Sequence, residues 1–145
     1  KYNMTDIAAS IGIHQLKKAN IFQQKRARIA ALYDEALAGL PIIRPPRAAT
    51  DDVHSWHLYV TQLSDDAGVS RDVFIERMFE QGIGCSVHYI PLHLQPYWRD
   101  TYKLTPEMFP VSQHIFERSV SLPLYTRMAE SDVARVVAAV KVALR

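Results

Sequence analysis

The sequence predicts an α+β fold, in which a small antiparallel or mixed sheet is covered by helices and preceded by a long N-terminal helix. Three observations carry this. Apolar residues recur at helical spacing from Ile7 to Leu37 and again from Val133 to Leu144. Between them, Val53 to Leu63 and Ile83 to Tyr89 are rich in the β-branched and aromatic residues that suit strands. Glycine and proline punctuate the junctions, and few short strands with short connections can bury an apolar face only by packing helices on it.

Thr5 is placed to cap a helix from Asp6, whose carboxylate suits the positive end of the helix dipole. Ile7, Ala8, Ile11, Phe22, Ile29, Leu32, Tyr33 and Leu37 continue the pattern, as one long helix or two joined segments. Gly12 inside it costs about 1 kcal/mol against alanine, and close helix packing accounts for it. Lys17, Lys18, Gln23, Gln24, Lys25, Arg26 and Arg28 form a basic stripe that reads as a solvated face. So long a helix cannot be covered by so small a domain, and part of it is expected to meet another domain or subunit.

Gly39 suits a left-handed stop, and Leu40 to Arg47, with three prolines, reads as an extended linker. In the first strand Trp56, Leu58 and Val60 alternate against Ser55, His57, Tyr59 and Thr61. Ser70 caps a helix whose inner face is Val73, Phe74, Met78 and Phe79 and whose stop is Gly82. Ile83 to Tyr89 is the second strand. Phe109 and Pro110 start a helix through Val111, Ile115 and Phe116, followed by an edge segment at Ser121 to Leu124. Ser131 or Asp132 then caps the last helix, with Val133, Val136, Val137, Val140 and Leu144 on one face.

With 17 basic and 15 acidic residues in 145, the net charge of +2 gives no case for nucleic acid or a membrane surface as partner. The single Cys85 cannot form an internal disulfide, which fits a reducing compartment, and no apolar stretch approaches the roughly 18 residues of a membrane span. A cytoplasmic protein is expected. The first residue is Lys1 and the chain enters a helical pattern at once, which suggests further polypeptide upstream.

Few constellations carry chemistry. His54 and His57, three apart on a strand, face opposite sides and cannot share an ion, and His88 and His93 have no thiol or carboxylate beside them, so no metal site is expected. Cys85 and His88 diverge in the same way and make no dyad. Gly82 and Gly84 are explained by a helix stop and a strand entry rather than by a phosphate-cradling loop. The remaining feature is the run Val87 to Trp98, with two histidines, two prolines and three aromatic rings, expected as an irregular, rigid loop. Either its rings pack on the domain and its histidines satisfy loop carbonyls, or His88, Tyr89 and His93 form a ligand wall whose imidazole and phenol groups bind sugar hydroxyls or a diphosphate. Only Arg99 and Lys103 lie near the rings, too few cations for nucleic-acid readout.

Four segments, Lys1-Tyr2-Asn3-Met4-Thr5-Asp6-Ile7, His54-Ser55-Trp56-His57-Leu58, the run from Val87 to Trp98, and Ser121-Leu122-Pro123-Leu124-Tyr125, resemble the C-terminal part of the DegT/StrS-type sugar aminotransferases. The resemblance implies a fold-type I enzyme that uses pyridoxal 5'-phosphate to move an amino group from an amino acid, glutamate above all, to a nucleotide-linked keto sugar. It also implies a homodimer with active sites at the subunit interface. Residues 1–39 would then be the interface helix region and residues 40–145 the small C-terminal α+β domain. Asn3 would donate to the cofactor phosphate of the neighbouring subunit, and His88, Tyr89 and His93 would face the substrate. No catalytic residue is expected in this stretch: the family's Schiff-base lysine lies upstream, and Lys1, Lys17, Lys18, Lys25, Lys103 and Lys141 lack an apolar pocket pattern. The segment alone is therefore expected to be inactive. A sugar dehydratase on the same scaffold, and a stand-alone interaction module, are the alternatives.

Overall fold

The computed structural model describes residues 3–47, 49 and 51–145; the Lys1-Tyr2 part of the first motif lies outside them. Among the described residues there are six α-helices and a three-stranded antiparallel sheet, the expected α+β class. The N-terminal helix is two segments, α1 (Asp6–Leu16) and α2 (Ala19–Ala36). The ladder tightens between them, the Lys18 N–H donating to Gln15 three residues back. Thr5 caps α1 as its side chain accepts from the Ala8 N–H at 3.2 Å. α1 buries no residue, while α2 buries Ile29, Ala30 and Tyr33. A Cβ at Gly12 would meet nothing within 4 Å, so the close packing expected of that glycine is not found among the described residues.

Gly39 adopts φ +77°, but the stretch after it is not only linker. β1 (Ile42–Ile43) pairs antiparallel with β2 (Tyr59–Leu63), two β-branched residues between prolines sufficing for a short edge strand. β2 is shorter than expected, and Tyr59, Thr61 and Leu63 are its buried set rather than Val60 and its alternates. Trp56, at φ +47°, breaks the extended chain and resets the phase. The two hydroxyls that β2 buries are satisfied: the Tyr59 hydroxyl donates to Asp34 Oδ1 at 2.7 Å, and the Thr61 hydroxyl to the Val120 carbonyl at 3.0 Å.

α3 (Arg71–Glu80) starts at the Ser70 cap and buries Phe74 and Met78, whereas Val73 and Phe79 face outward. Residues 74 and 78 are four apart and stack along one line, from which a neighbour diverges by about 100°. After Gly82, at φ +70°, the expected second strand reduces to a single bridge between Ser86 and Ser121. Gly84 offers no side chain to pack, and the chain turns away toward Pro91. The aromatic run is more regular than expected, since a 3₁₀ turn at Leu92–Leu94 leads into α4 (Pro96–Tyr102), with Pro96 in the first helical turn, where its fixed φ suits a helix.

α5 (Pro110–Arg118) runs directly into β3 (Ser119–Leu122), which pairs with β2 in the register Tyr59↔Leu122 and Thr61↔Val120. β3 starts earlier than the edge segment expected at Ser121 to Leu124, and all four of its residues are buried. α6 (Glu130–Ala143) starts two or three residues ahead of the expected caps: Ala129 is its N-cap, and Asp132 reaches back to accept the Ala129 N–H at 2.8 Å. Its Val133, Val136, Val137 and Val140 join Ala139 and Ala143 against α2 and α3, with Leu144 only half-buried.

Burial pushes the Cys85 thiol up to about 11, and raises Tyr33 and Tyr59 as well, the latter helped by its bond to Asp34. Each group binds its proton more tightly in the folded chain than in the unfolded one. The stabilisation is therefore complete below the ordinary thiol value of 9.0 and is lost as pH rises from there through about 11. Urea midpoints taken across that window are expected to fall steadily; a flat profile would show that these groups are not buried as described.

Candidate functional site

A cleft of about 600 Å³ opens between the loop carrying His88, Tyr89 and Pro91 and the first two turns of α5, with Phe109, Val111, Ile115 and Phe116 as its apolar wall. Two devices fix its walls. Arg118, at the end of α5, donates from Nε to the Leu63 carbonyl at 2.6 Å and pairs with Asp65 at 2.7 Å, locking α5 to the end of β2. On the other side, Ser86 exchanges both backbone hydrogen bonds with Ser121, so the chain leaves the sheet edge in a fixed direction two residues before His88.

The three histidine-loop residues have different surroundings. His88 is half-buried, with Nδ1 2.8 Å from the Ser121 hydroxyl and its ring meeting that of Tyr89 edge-on at 4.8 Å. Tyr89 is 76% exposed and stands at the cleft mouth. His93 is 3% exposed, outside the cleft lining, and stacked on Phe109 at 5.0 Å. Its Nε2 lies 2.9 Å from Gln113 Oε1, and because the Gln113 amide donates to Glu117 at 2.7 Å, His93 must supply the proton in the first bond. His93 thus reaches the cleft only through Phe109, whose ring it supports from behind.

Asn3 is exposed just ahead of α1 and far in sequence from this cleft. Met4, Ile7, Ile11, Ile13 and Leu16 of the same region are all exposed apolar residues. His54 is engaged locally, its Nδ1 accepting the Trp56 N–H at 2.9 Å. Cys85, half-buried with its thiol held protonated, makes no nucleophile. The five described lysines are exposed. Among the described residues no three His, Cys, Asp or Glu side chains stand together as metal ligands, and no helix is long and apolar enough to cross a membrane.

Sequence reasoning did not single out Ser121 or Gln113. A signal for the first was available: in the fully buried strand Ser119-Val120-Ser121-Leu122, serines alternate with aliphatics, and a buried hydroxyl needs a partner.

Comparison with known proteins places this geometry. Residues 1–141 match the model of the DegT/DnrJ/EryC1/StrS aminotransferase family. The chain is 46% identical over 142 residues to the uncharacterized protein MJ1066 of Methanocaldococcus jannaschii, and 38% identical over 143 residues to the spore coat polysaccharide biosynthesis protein SpsC of Bacillus subtilis. Each match covers 97% of this chain and 37% of the relative, so the chain spans little more than a third of their length. The PLP-form of Spr1654 from Streptococcus pneumoniae has the same fold, with a TM-score of 0.88 at 30% identity over 98% of this chain and 36% of that one. A model matched along almost the whole sequence, with relatives and fold in agreement, means that the chain belongs to the DegT/DnrJ/EryC1/StrS aminotransferase family.

Proposed function

We propose that this chain is the C-terminal part of a pyridoxal-phosphate-dependent sugar aminotransferase. The whole enzyme moves an amino group from an amino acid, glutamate in the first instance, to a keto sugar carried on a nucleotide. It works as a cytoplasmic homodimer, with residues 1–39 as the interface helix region and residues 40–145 as the small domain. The family match over residues 1–141 carries this reading. The association of SpsC with polysaccharide biosynthesis, by its name, favours a sugar as acceptor.

The described residues fit one end of the cofactor. Asn3 offers an exposed amide at the start of α1, where a helix N-terminus favours an anion such as the phosphate of a neighbouring subunit's cofactor. The group that binds the aldehyde end belongs, on this reading, to a part of the enzyme outside this chain. Bound pyridoxal phosphate supplies the electron sink for amino transfer. The chain's own contribution is orientation: His88 and Tyr89 hold the sugar nucleotide at the cleft mouth, and His93 backs the Phe109 wall. The apolar side chains of α1, bare in the single chain, are the surface a second subunit covers.

The full-length enzyme with pyridoxal phosphate and glutamate is expected to form 2-oxoglutarate beyond one equivalent per site only when a nucleotide-linked keto sugar is present to take up the amino group. His88→Ala should lower kcat/KM for the sugar about 10- to 100-fold, the effect of losing one strong hydrogen bond. The 145-residue chain alone should show no turnover, and after borohydride treatment with the cofactor no specifically labelled lysine. Sugar-dependent loss of water without any donor would replace the proposal with a dehydratase, and turnover or a single labelled lysine in the chain alone would overturn the placement of its active-site parts.

A further inference from the structure

The bond between Ser121 and His88 fixes more than the position of a ring. Ser121 is 5% exposed in the centre of β3, with both backbone groups engaged by Ser86. Its hydroxyl has one partner among the described residues, His88 Nδ1 at 2.8 Å. Two proton arrangements could make this contact. If Nδ1 carried the hydrogen and donated to Oγ, the buried serine O–H would be left with no acceptor, a costly state for a donor shut away from water. If the serine donates instead, Nδ1 is the acceptor, the ring hydrogen of the neutral imidazole sits on Nε2, and every buried donor is satisfied.

Ser119, two residues earlier on the same face of β3, gives the comparison. Its hydroxyl donates to the Ile115 carbonyl at 2.7 Å, inside the turn that ends α5. The two serines have separate tasks: one closes the α5 junction, and the other has no backbone carbonyl to serve and turns to His88. Nε2 of His88 has no protein partner among the described residues, and His88 lines the cleft. Tyr89, packed edge-on against the imidazole, restricts its rotation.

We infer that Ser121 is a positioning residue that holds His88 in the Nε2–H form, so that the ring presents a hydrogen-bond donor, not a base, to the cleft. The chemistry this selects is an oxygen acceptor: a sugar hydroxyl or carbonyl oxygen, or a phosphate oxygen, of the bound nucleotide sugar. The substrate half of this assignment rests on the function proposed above, whereas the tautomer stands on the geometry of this chain alone.

The test has two arms. The first is long-range ¹H–¹⁵N correlation on the ¹⁵N-histidine-labelled full-length enzyme, above the ordinary imidazole titration range and with His88→Gln to assign the ring. His88 should show the protonated-Nε2 pattern, Ser121→Ala should give mixed tautomers, and Ser121→Thr should restore a single one. A protonated Nδ1 in the unaltered chain, or a pattern indifferent to Ser121→Ala, overturns the inference whatever the kinetics. The second arm measures the full-length enzyme: Ser121→Ala should raise KM for the sugar nucleotide about 5- to 10-fold, with KM for the amino donor unchanged and Ser121→Thr close to the unaltered enzyme. With the tautomer as stated, an unchanged sugar KM in both Ser121→Ala and His88→Ala means that His88 does not touch substrate. The substrate reading then falls, while the tautomer held by Ser121 stands on the first arm. If His88→Ala alone raises KM, the substrate reading stands and only the positioning role of Ser121 is refuted.

Discussion

Replacing Phe74 by alanine is expected to destabilise the chain by about 3–5 kcal/mol, a fifth or more of the stability of a typical domain. Phe74 is 1% exposed, on the face of α3 that packs against α6, and truncating it removes a ring from a layer also filled by Met78 and the valines of α6. Close-packed surroundings collapse only in part, so the lost transfer free energy is joined by the cost of a cavity. Phe79, five residues later on the same helix, is 76% exposed, and its alanine variant should change stability by no more than about 0.5 kcal/mol. Urea unfolding of the 145-residue chain compares the two directly: the midpoint should drop sharply for Phe74→Ala and hold for Phe79→Ala, with similar slopes. Equal effects would mean that α3 turns a different face to the core.

That pair of phenylalanines also marks how much was legible in the sequence. Period and cap chemistry located α3 correctly from Ser70 to Gly82, yet spacing alone assigned Val73 and Phe79 to the same face as Phe74 and Met78. The rotation of a short helix is decided by what it packs on, and α6 is separated from α3 by about a third of the chain. The phase of β2 was lost for a related reason. Alternation of apolar and polar residues favours Trp56, Leu58 and Val60, but Tyr59 and Thr61 become buriable once Asp34 and the Val120 carbonyl take their hydroxyl protons. Those partners lie 25 and 59 residues away and no local pattern contains them.

The site was legible in part. The loop from Val87 stood out because its prolines and rings fit no regular core element, and His88 and Tyr89 do line the cleft. Proximity in sequence does not separate His88 from His93, whereas tertiary structure does: α5 brings Phe109 and Gln113 over His93 and leaves His88 at the opening. The partner of the Ser121 hydroxyl becomes visible only when β3 is set beside Ser86, a pairing between residues 35 positions apart.

The central claim is that this chain completes an active site in a second subunit, with Asn3 reaching the cofactor phosphate across the interface. Subunit complementation tests it. One full-length variant would carry Asn3→Glu, which sets a carboxylate against the phosphate, and the other would lack the cofactor-binding lysine; each alone is expected to be nearly inactive. After unfolding and refolding together in equal amounts, half of the dimers are mixed, and each mixed dimer holds one site with an intact lysine and an intact Asn3 if the two come from different subunits. About a quarter of the unaltered activity should return. A mixture no more active than its two parents would contradict the account.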